Sequence, residues 1–396
     1  MAPKHAITLR PSFSLPIRWK CVHKNVIFDV LCARPNWEHC SSDPDDYTDC
    51  DFAWVDTSFI RNQFDALASS RSFYCNHFRN YYELTRKDLL IKNLKRMIKA
   101  CEKSSAAEAL SYQFFPPTFV LPTEYALFLE CFRQSQGVWI MKPCGMAQGK
   151  GIFLISTPKQ VLEWKRTLTS ESEKNAYIVQ KYIENPLLIG GRKFDLRIYV
   201  LVTSYAPLNV FLYREGFARF SSSQFSMSSE DISNHYVHLT NVAIQKTLKK
   251  MARPIHLFTR SSGLCNHFFS TFLRAMENTQ ITVFKQYNKL LTIIQDAFCY
   301  ELYGYDVLID DTLTPWLIEV NASPSLSASD DDDYQLKKRL LDDVINVLDP
   351  ENRFPPQSVR VGGFQQLVQG GIVYGDIILG ASNKDRDEQL RRLLEK

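Results

Sequence analysis

Apolar residues along this chain come in short runs separated by polar stretches, and the period of each run predicts a secondary-structure element. In the first 110 residues or so, runs such as NVIFDVL and DFAWV alternate with polar loops. Residues 86–99 follow, with Leu90 and Leu94 on one side of a predicted helix. We assign residues 1–112 to an N-terminal lobe that ends in this basic helix and in a polar helix around 103–109.

Strand signals dominate the next region of the chain. The runs TFVLP, VWIMKP, GIFLIS and AYIVQKYI are short and apolar, and they are bounded by glycine, proline or polar residues. One helical stretch runs through Trp164, between the third and fourth of these strands. We therefore predict a small, mostly antiparallel central lobe over residues 113–184.

A larger mixed region follows the central lobe. It opens with two long strands, FDLRIYVLVTS and NVFLYREGFARF, and continues with a helix over 268–302, a strand pair and a helix over 334–348. We assign residues 185–350 to a C-terminal lobe, and residues 351–396 to a tail without assigned chemistry, either a short helix or mobile. The predicted fold class is α+β.

Composition narrows the class of protein. The 396 residues are 45% hydrophobic, enough for a substantial core, and a net charge of +4 is too small to imply nucleic-acid binding. No apolar run approaches the roughly 18 residues of a membrane span, and the N-terminus lacks a signal peptide's apolar stretch. Ten cysteines without a C-x-x-C pair argue against structural zinc and disulfides. We expect a globular cytosolic protein with reduced thiols.

Basic residues cluster on one predicted helix despite the small net charge. Within residues 86–99, Lys92, Lys95, Arg96 and Lys99 fall at helical spacing on one face. This pattern fits a solvated face without a partner, and it equally fits a surface that attracts an acidic protein or phosphates. The sequence leaves both interpretations open.

The segment YGYDVLIDDTLTPWLIEVNASPS reads as a strand, a turn and a second strand. If the hairpin is centred between Thr312 and Leu313, Asp306 lies opposite Glu319, and Asn321 shares their face. Opposed side chains are roughly 5 Å apart, so three oxygen donors converge, as a Mg²⁺ ion shared with a nucleotide requires. The alternative is that Glu319 only pairs with an Arg or Lys.

The glycines of MKPCGMAQGKGIFLI lie between two strands, and their spacing matches neither a Walker A loop nor G-x-G-x-x-G. We predict a β-hairpin lid whose tip closes over phosphates with backbone N–H groups, with Lys142 at its base. The residues of this tip are Gln148, Gly149, Lys150 and Gly151. An ordinary glycine hairpin explains the pattern almost as well.

The strand in IVQKYIENP offers backbone groups that suit an adenine edge, although a plain core strand is an equal alternative. The residues concerned are Gln180, Lys181, Tyr182 and Ile183. The next strand presents Lys193, Asp195 and Arg197 on one face at period two, alternating with apolar residues. This alternation predicts a strand that lines a cleft.

Further polar residues extend the predicted cleft. Arg219 comes from YREGFARF, Thr240 and Asn241 from HLTN, and Lys246 follows them. Arginine suits bidentate recognition of a carboxylate or phosphate, so an anionic substrate beside a nucleotide fits this set. His238 is either a catalytic base or a positioned core histidine. No Cys-His or Ser-His arrangement supports a covalent enzyme intermediate.

The chain resembles the tubulin-tyrosine-ligase-like family in segments that follow the family's order: Lys142, QGKG (148–151), VQKYIENP, GGRKFDLR, YREGFARF, HLTN, YGYD and WLIEVNASPS. The resemblance covers about 77–345, and IENPLLIGGRKFDLR is most similar to the tubulin polyglutamylases. It implies an ATP-grasp fold of three lobes, with ATP between the central and C-terminal lobes.

The resemblance also implies the reaction and its partners. ATP would phosphorylate the γ-carboxylate of a glutamate in a tubulin C-terminal tail, and the amine of free glutamate would attack the acyl phosphate to leave an isopeptide branch. The cofactors would be ATP and Mg²⁺, the partners tubulin tails and microtubules. The protein would belong to the cytoplasmic cytoskeleton, including cilia or flagella and basal bodies.

Roles for individual residues follow from the resemblance together with the residue chemistry. Fixed cations stabilise the charge that develops in phosphoryl and acyl transfer. The metal residues would be Asp306, Glu319 and Asn321; the phosphate-binding lysines Lys142, Lys150 and Lys193; the nucleotide contacts Asp195, Thr240 and Asn241; the substrate residues Arg197, Arg219 and Lys246; and the catalytic set Arg219, Lys193 and Glu319. The basic helix would face the acidic tubulin tail.

One departure from the family pattern bears on activity. Polyglutamylases usually carry a lysine in the region that reads SSGLCNHFFSTF here, and Cys265 lies near its place. Two alternatives to glutamate ligation are therefore kept. One is a tubulin glycine ligase of the same family, and the other is a catalytically silent microtubule-binding scaffold that retains the fold.

Overall fold

The computed structural model describes most of the chain outside its two ends and one internal region. The described residues are 13–40, 43, 46–68, 72–103, 109, 114–146, 148–167, 176–205, 208–241, 244, 252–256, 298–322, 324–353, 360–369 and 372–373. Helices and strands are mixed throughout these ranges, so the predicted α+β class is confirmed at this level.

A four-stranded parallel sheet in the order β2-β1-β3-β4 begins the chain. Its strands are β1 Ile17–Cys21, β2 Trp37–His39, β3 Phe52–Trp54 and β4 Tyr74–Cys75. The helices of this region are α1 Val26–Ala33, α2 Thr57–Asn62, α3 Phe64–Ala68, α4 Tyr82–Thr85 and α5 Lys87–Glu102. The Asn25 side chain begins α1 by accepting a hydrogen bond from the N–H of Ile27.

Helix α5 is amphipathic, as its sequence pattern predicted. Leu90, Ile91 and Leu94 are buried, and Leu90 and Leu94 belong to a hydrophobic core that also contains residues of the large sheet. Within the described ranges, no helix combines the length and the apolar character that crossing a membrane requires.

A second sheet of four antiparallel strands lies in the middle of the chain, in the order β5-β8-β6-β7. Its elements are β5 Thr118–Leu121, α6 Tyr125–Gln134, β6 Trp139–Pro143, β7 Phe153–Ile155, α7 Pro158–Thr167 and β8 Tyr177–Lys181. All four strands and α7 were predicted. Helix α6 was not, although Phe128 and Phe132 recur one turn apart on its buried face.

The third sheet has nine strands, and its main path is β14-β13-β10-β11-β16-β15. Its strands are β9 Leu188–Ile189, β10 Arg192–Tyr205, β11 Leu208–Phe220, β12 Ala252–His256, β13 Glu301–Ile309, β14 Pro315–Asn321, β15 Arg360–Val361, β16 Phe364–Gln369 and β17 Ile372–Val373; its helices are α8 His235–His238 and α9 Asp331–Leu348. The Asp330 carboxylate begins α9 by accepting from the N–H of Asp333 at 2.9 Å.

The two faces of this large sheet pack against different layers. Along β10, Phe194 and Leu196 point into the core shared with α5, whereas Tyr199 and Leu201 point into a core shared with α9 and the first sheet. Polar side chains at one end of the second face can therefore line a cleft beside the central sheet.

Two sequence predictions about the C-terminal part need correction. Residues 351–396 were assigned to a tail, yet β16 pairs with β11 inside the large sheet, and Phe364 and Leu367 are buried. The intervening glutamines, which are also buried, hid the strand signal. The helix predicted over 268–302 does not reach its end, since β13 begins at Glu301. Residues 257–297 lie outside the described ranges.

Candidate active site

The hairpin of β13 and β14 contains the opposed carboxylates that the sequence predicted. Asp306 is paired with Glu319 across the two strands, and Asn321 is paired with Gly304. Because side chains two residues apart on a strand point the same way, Asn321 shares the face of Glu319. The predicted geometry of these three residues is confirmed.

Asp306 and Glu319 are brought opposite each other by a β-bulge. The sequence interpretation had assumed a symmetrical hairpin without one. The pairs nearest the turn are centred on Thr312, and continued unchanged they would place Asp306 opposite Ile318. A register shift after Val307 adds one residue to β14 and returns Glu319 to the face of Asp306. Without the bulge, the second carboxylate would point towards the hydrophobic core.

Two arginines hold the carboxylates of neighbouring strands in one network. Arg197 donates to both oxygens of Asp306 at 2.6 and 3.1 Å. Arg219 donates to both oxygens of Asp195 at 2.7 and 2.6 Å, and its Nη2 lies 2.8 Å from Asp306 Oδ2. The Thr240 hydroxyl donates to Asp195 at 2.6 Å. Planar, bidentate pairs of this kind fix both partners in orientation as well as position.

Glu319 is paired with a cation that sequence reasoning missed. Lys87, the first residue of α5, places its Nζ 3.0 Å from Glu319 Oε2. Burial opposes ionisation of Glu319, but the Lys87 ammonium and the hydrogen bond with Asp306 hold its pKa below the usual value. The pKa of Asp306 is raised, because burial outweighs the two arginines. Glu319 thus also forms an ion pair, which was the alternative interpretation of this residue.

Two buried lysines complete the site. Lys142 on β6 donates to Gln180 Oε1 at 2.7 Å, and Lys193 on β10 donates to the Tyr182 hydroxyl and the His238 carbonyl, both at 2.9 Å. Burial lowers the pKa of Lys142 to about 8 and that of Lys193 to about 7. No carboxylate of the described residues lies within 4 Å of either ammonium group.

His238 is buried, as a positioned core histidine would be, and it also lines the candidate cleft. Its Nδ1 accepts from the Tyr182 hydroxyl at 2.9 Å, and its Nε2 lies 2.9 Å from the carbonyl oxygen of Asp231. Burial and, to a lesser extent, the neighbouring Lys193 lower the pKa of His238 to about 4. Both ring nitrogens are therefore engaged, and the ring is neutral at physiological pH.

These residues surround a cleft that is open to solvent and spans about 660 Å³ of space not filled by protein atoms, open solvent included. The predicted residues that line it are Lys142, Gln180, Lys181, Tyr182, Ile183, Lys193, Asp195, Arg219, Thr240, Asn241, Asp306 and Glu319. Arg197 and Asn321 lie behind this lining, where they contact Asp306 and Glu319 respectively. Lys246 and Cys265 lie outside the described residues.

The glycine hairpin lies next to the cleft, but its residues do not line it. Gln148, Gly149 and Gly151 have positive φ values of 63°, 78° and 69°, which a tight turn requires. A Cβ at Gly149 would come within 2.5 Å of Ile244, so the backbone packs closely there. Lys150 is exposed to solvent. The predicted phosphate contact by Lys150 and the turn remains a prediction.

Part of the backbone of the strand proposed for adenine recognition is already hydrogen-bonded within the protein. The N–H of Lys181 donates to the Pro117 carbonyl at 2.8 Å, and the N–H of Tyr182 donates to the Val138 carbonyl at 3.0 Å. Tyr182 and Ile183 both line the cleft. An adenine edge would therefore have to hydrogen-bond to the backbone of Ile183 or to backbone carbonyl groups of this strand.

The donor set fits a hard divalent cation shared with a phosphate ligand. Two carboxylates and an amide share one face, and oxygen donors of this type suit Mg²⁺. No group of three or more His, Cys, Asp or Glu side chains forms a metal cluster in the part of the chain that the structure describes. A magnesium ion would thus depend on ligand phosphates for the rest of its coordination.

Comparisons with known proteins identify the family of the chain. Residues 67–357 match the tubulin-tyrosine ligase family. The mouse protein named probable tubulin polyglutamylase TTLL9 is 42% identical, over 95% of this chain and 92% of that protein. Probable tubulin polyglutamylase ttll-9 of Caenorhabditis elegans is 44% identical, over 89% and 85%. Probable alpha-tubulin polyglutamylase Ttll1 of Tetrahymena thermophila is 40% identical, over 83% and 84%. The chain belongs to the tubulin-tyrosine ligase family.

Proposed function

We propose that this protein is a tubulin polyglutamylase, which uses ATP and Mg²⁺ to ligate glutamate onto glutamate side chains of tubulin C-terminal tails. The charge balance of the cleft carries the ATP assignment. Asp195, Asp306 and Glu319 are matched by Arg197, Arg219 and Lys87, which leaves Lys142 and Lys193 without carboxylate partners among the described residues. Two buried cations in a cleft complement the doubly negative complex of ATP with magnesium.

The names of the relatives support the choice of tubulin and glutamate. In this proposal the fold is an ATP-grasp of three lobes, with ATP between the central and C-terminal lobes. The protein acts on the microtubule cytoskeleton, including that of cilia or flagella and basal bodies. ATP lies against Lys142 and Lys193, and the strand 180–183 contacts the adenine.

Asp306, Glu319 and Asn321 would hold magnesium, which offsets phosphate charge when bound. Lys87, whose Nζ lies 3.0 Å from Glu319 Oε2, would then stand beside the metal ligands and could contact the phosphate oxygens. The lysines of the cleft would position the γ-phosphate beside the acceptor carboxylate. Transfer of the γ-phosphoryl group from ATP to the acceptor carboxylate gives an acyl phosphate and releases ADP. The amine of free glutamate then attacks the acyl carbon, loses a proton to form the isopeptide bond, and releases phosphate.

Arg219 is the proposed contact for the incoming glutamate. Its Nε and Nη2 donate to Asp195, and Nη2 also lies beside Asp306, whereas Nη1 takes part in none of these bonds. The amino-acid carboxylate would bind Nη1, with the two aspartates fixing the plane of the guanidinium. Lys246 and Arg197 remain predicted substrate-binding residues for the same amino acid. Arg197 would act indirectly, through its ion pair with Asp306.

A labelling experiment tests the proposal. Purified protein is incubated with tubulin, ATP, Mg²⁺ and labelled glutamate or labelled glycine, and the tubulin tails are analysed by mass spectrometry. We expect glutamate branches from the wild type and a loss of about a thousandfold in rate for Glu319→Gln, since a metal ligand is removed. Glu215→Gln is the matched control, because this glutamate pairs with Arg339 outside the cleft.

The other outcomes separate the alternatives. Incorporation of glycine alone would make the protein a glycine ligase of the same family. Microtubule binding without ligation, equal in the wild type and Glu319→Gln, would make it a scaffold.

A further inference from the structure

Cys40 and Cys50 lie close together beside the first sheet, and no disulfide joins the cysteines that the structure describes. Cys40 directly follows β2, and Cys50 lies two residues before β3. The Cys40 Sγ lies 3.8 Å from the carbonyl oxygen of Asp49, the residue directly before Cys50. Cys50 belongs to the hydrophobic core shared with α5, and Cys40 packs against that core. The sulfur of Cys40 is therefore held beside the peptide unit that carries Cys50.

The two thiols differ in ionisation. A hydrogen bond from the Cys50 thiol lowers the pKa of Cys40 and outweighs burial, and the positive charges of Lys20 and Arg18 add to the lowering. The same hydrogen bond, together with burial, raises the pKa of Cys50 well above its usual value. Because the thiolate is the nucleophilic form of cysteine, Cys40 is the more reactive of the two.

The two thiols also differ in access to solvent. Cys40 is partly exposed, whereas Cys50 is 0% exposed. A dissolved oxidant therefore meets Cys40 first, and Cys50 stays beside it as a second thiol. An accessible thiol of lowered pKa next to a resolving cysteine is the arrangement that redox-sensitive cysteines have in common.

Other cysteines of the chain show these properties separately. Cys75 and Cys299 are bridge partners on neighbouring backbone segments, so they are close together, but both are buried. Cys32 is exposed, but partial burial of its sulfur and the neighbouring Asp29 raise its pKa. Proximity without access, and access without a lowered pKa, are thus both present in the same molecule as internal controls.

We propose that Cys40 and Cys50 form an oxidation site, which hydrogen peroxide converts to a disulfide and a dithiol reductant restores. The site is separate from the candidate active site, since neither residue lines the cleft. In the first step, the Cys40 sulfur attacks one oxygen of the peroxide and the O–O bond breaks. The thiol proton leaves with the second oxygen as water, and Cys40 then carries a sulfenic acid.

The second step forms the disulfide. The Cys50 sulfur attacks the Cys40 sulfur, the S–O bond breaks, and the departing hydroxide takes the Cys50 proton to give a second water. The two thiols lose two electrons in total, and one peroxide is reduced to two waters. A dithiol reductant reverses the reaction by thiol–disulfide exchange. The disulfide closes residues 40–50 into a ring that contains two partners of the buried Lys20 ammonium, the carbonyl groups of Asp43 and Asp46.

Mass spectrometry of the oxidised full chain tests the inference. Reduced protein is treated with hydrogen peroxide, the remaining thiols are alkylated in denaturant, and the chain is cut on the N-terminal side of its aspartates. Cleavage before Asp43 and Asp49 places Cys40 and Cys50 in separate fragments, which a disulfide alone keeps joined. At low peroxide, we expect this linked fraction to exceed that of Cys75 with Cys299 by about tenfold or more. Dithiothreitol should separate the linked fragments.

Single substitutions assign the two roles. Cys50→Ser should stop the reaction at the sulfenic acid, which dimedone then traps on Cys40. Cys40→Ser should leave Cys50 unmodified, because peroxide does not reach a buried thiol. Cys32→Ser is the matched control and should leave the linked fraction unchanged. Thermal unfolding of each reduced variant establishes that it is folded before peroxide is added, and Cys50→Ala provides a second variant at the buried position.

Three results would overturn the inference. The first is that the fragments with Cys40 and Cys50 stay as unlinked as those with Cys75 and Cys299. The second is oxidation of Cys32 as fast as that of Cys40, which would mean that exposure alone decides the reaction. The third is a Cys40 disulfide between two copies of the chain, seen as a dimer on a non-reducing gel.

Discussion

The cleft has two halves of opposite character. In the carboxylate half, Asp195, Asp306 and Glu319 are each held by an arginine or a lysine within 3.1 Å. In the lysine half, Lys142 and Lys193 are also buried, but their hydrogen bonds among the described residues go to an amide, a hydroxyl and a carbonyl oxygen. The first half is electrically balanced by the protein itself, and the second is balanced only when an anion enters.

This difference assigns different tasks to the two halves. Paired side chains hold their orientation before any ligand arrives, which is the preorganisation that metal and transition-state binding need. Unpaired buried ammonium groups destabilise the empty site, because burial disfavours their charge. An anionic ligand would remove that penalty. Substitutions in the two halves should therefore change protein stability in opposite directions.

The largest effect is expected for Asp306→Asn. The change removes the bidentate partner of Arg197 and one partner of Arg219 inside the protein. Breaking a buried ion pair by removing one member costs about 3–5 kcal/mol. The free energy of unfolding should fall by that amount in chemical denaturation without ATP or Mg²⁺.

A nearby aspartate provides the matched control for this measurement. Asp311, in the turn of the same hairpin, accepts from Asn185 Nδ2 at an exposed position. Asp311→Asn should change the free energy of unfolding by less than about 1 kcal/mol. Equal losses in the two variants would show that the carboxylate half is not held by its arginines.

The lysine half should respond in the opposite way. Lys142→Met keeps the length of the side chain and removes a buried charge, so the free energy of unfolding should stay constant or rise. The affinity for ATP with magnesium should fall about thirtyfold, as expected when a charge-assisted hydrogen bond is lost. Chemical denaturation and isothermal titration calorimetry measure the two quantities.

The affinity of Lys150→Met for ATP with magnesium is the informative comparison with Lys142→Met. Lys150 was predicted to bind phosphate, yet it is exposed on the glycine hairpin and does not line the cleft. An equal loss of affinity in both variants would mean that the hairpin closes over the ligand. A large loss in Lys150→Met alone would contradict the assignment of Lys142.

The sequence predicted the carboxylate half well, because its information is local. Lys193, Asp195 and Arg197 alternate with apolar residues on one strand, and two-residue periodicity alone places them on one face. To predict that Asp306 and Glu319 lie opposite each other, it was enough to recognise a short hairpin. That prediction succeeded although the hairpin contains a bulge. The turn was assumed to be centred between Thr312 and Leu313, half a residue beyond its true centre at Thr312, and this difference offsets the extra residue of the bulge.

Features that depend on distant contacts were not predictable in this way. Lys87 reaches Glu319 only because α5 packs beside the large sheet, and no local pattern distinguishes it from the other cations of that helix. The buried glutamines of β16 mask its strand character, since burial there is decided by the neighbouring strand β11. In both cases tertiary packing decides the role of a residue that is locally ambiguous.

The smallest expected effect is a pH dependence confined to the lysine half. Burial lowers the pKa of Lys193 to about 7 and that of Lys142 to about 8, and bound phosphates would raise both values. ATP binding then favours the protonated lysines, so affinity is highest below pH 7 and falls as pH rises through these two pKa values. We expect a loss of about tenfold between pH 7 and pH 8.

Calorimetry in two buffers with different ionisation enthalpies should then reveal proton uptake on ATP binding at pH 8. Lys142→Met should reduce that uptake, whereas Asp311→Asn should leave it unchanged. Binding without proton uptake would mean that both lysines are already charged in the empty cleft, and the contrast between the two halves would be lost.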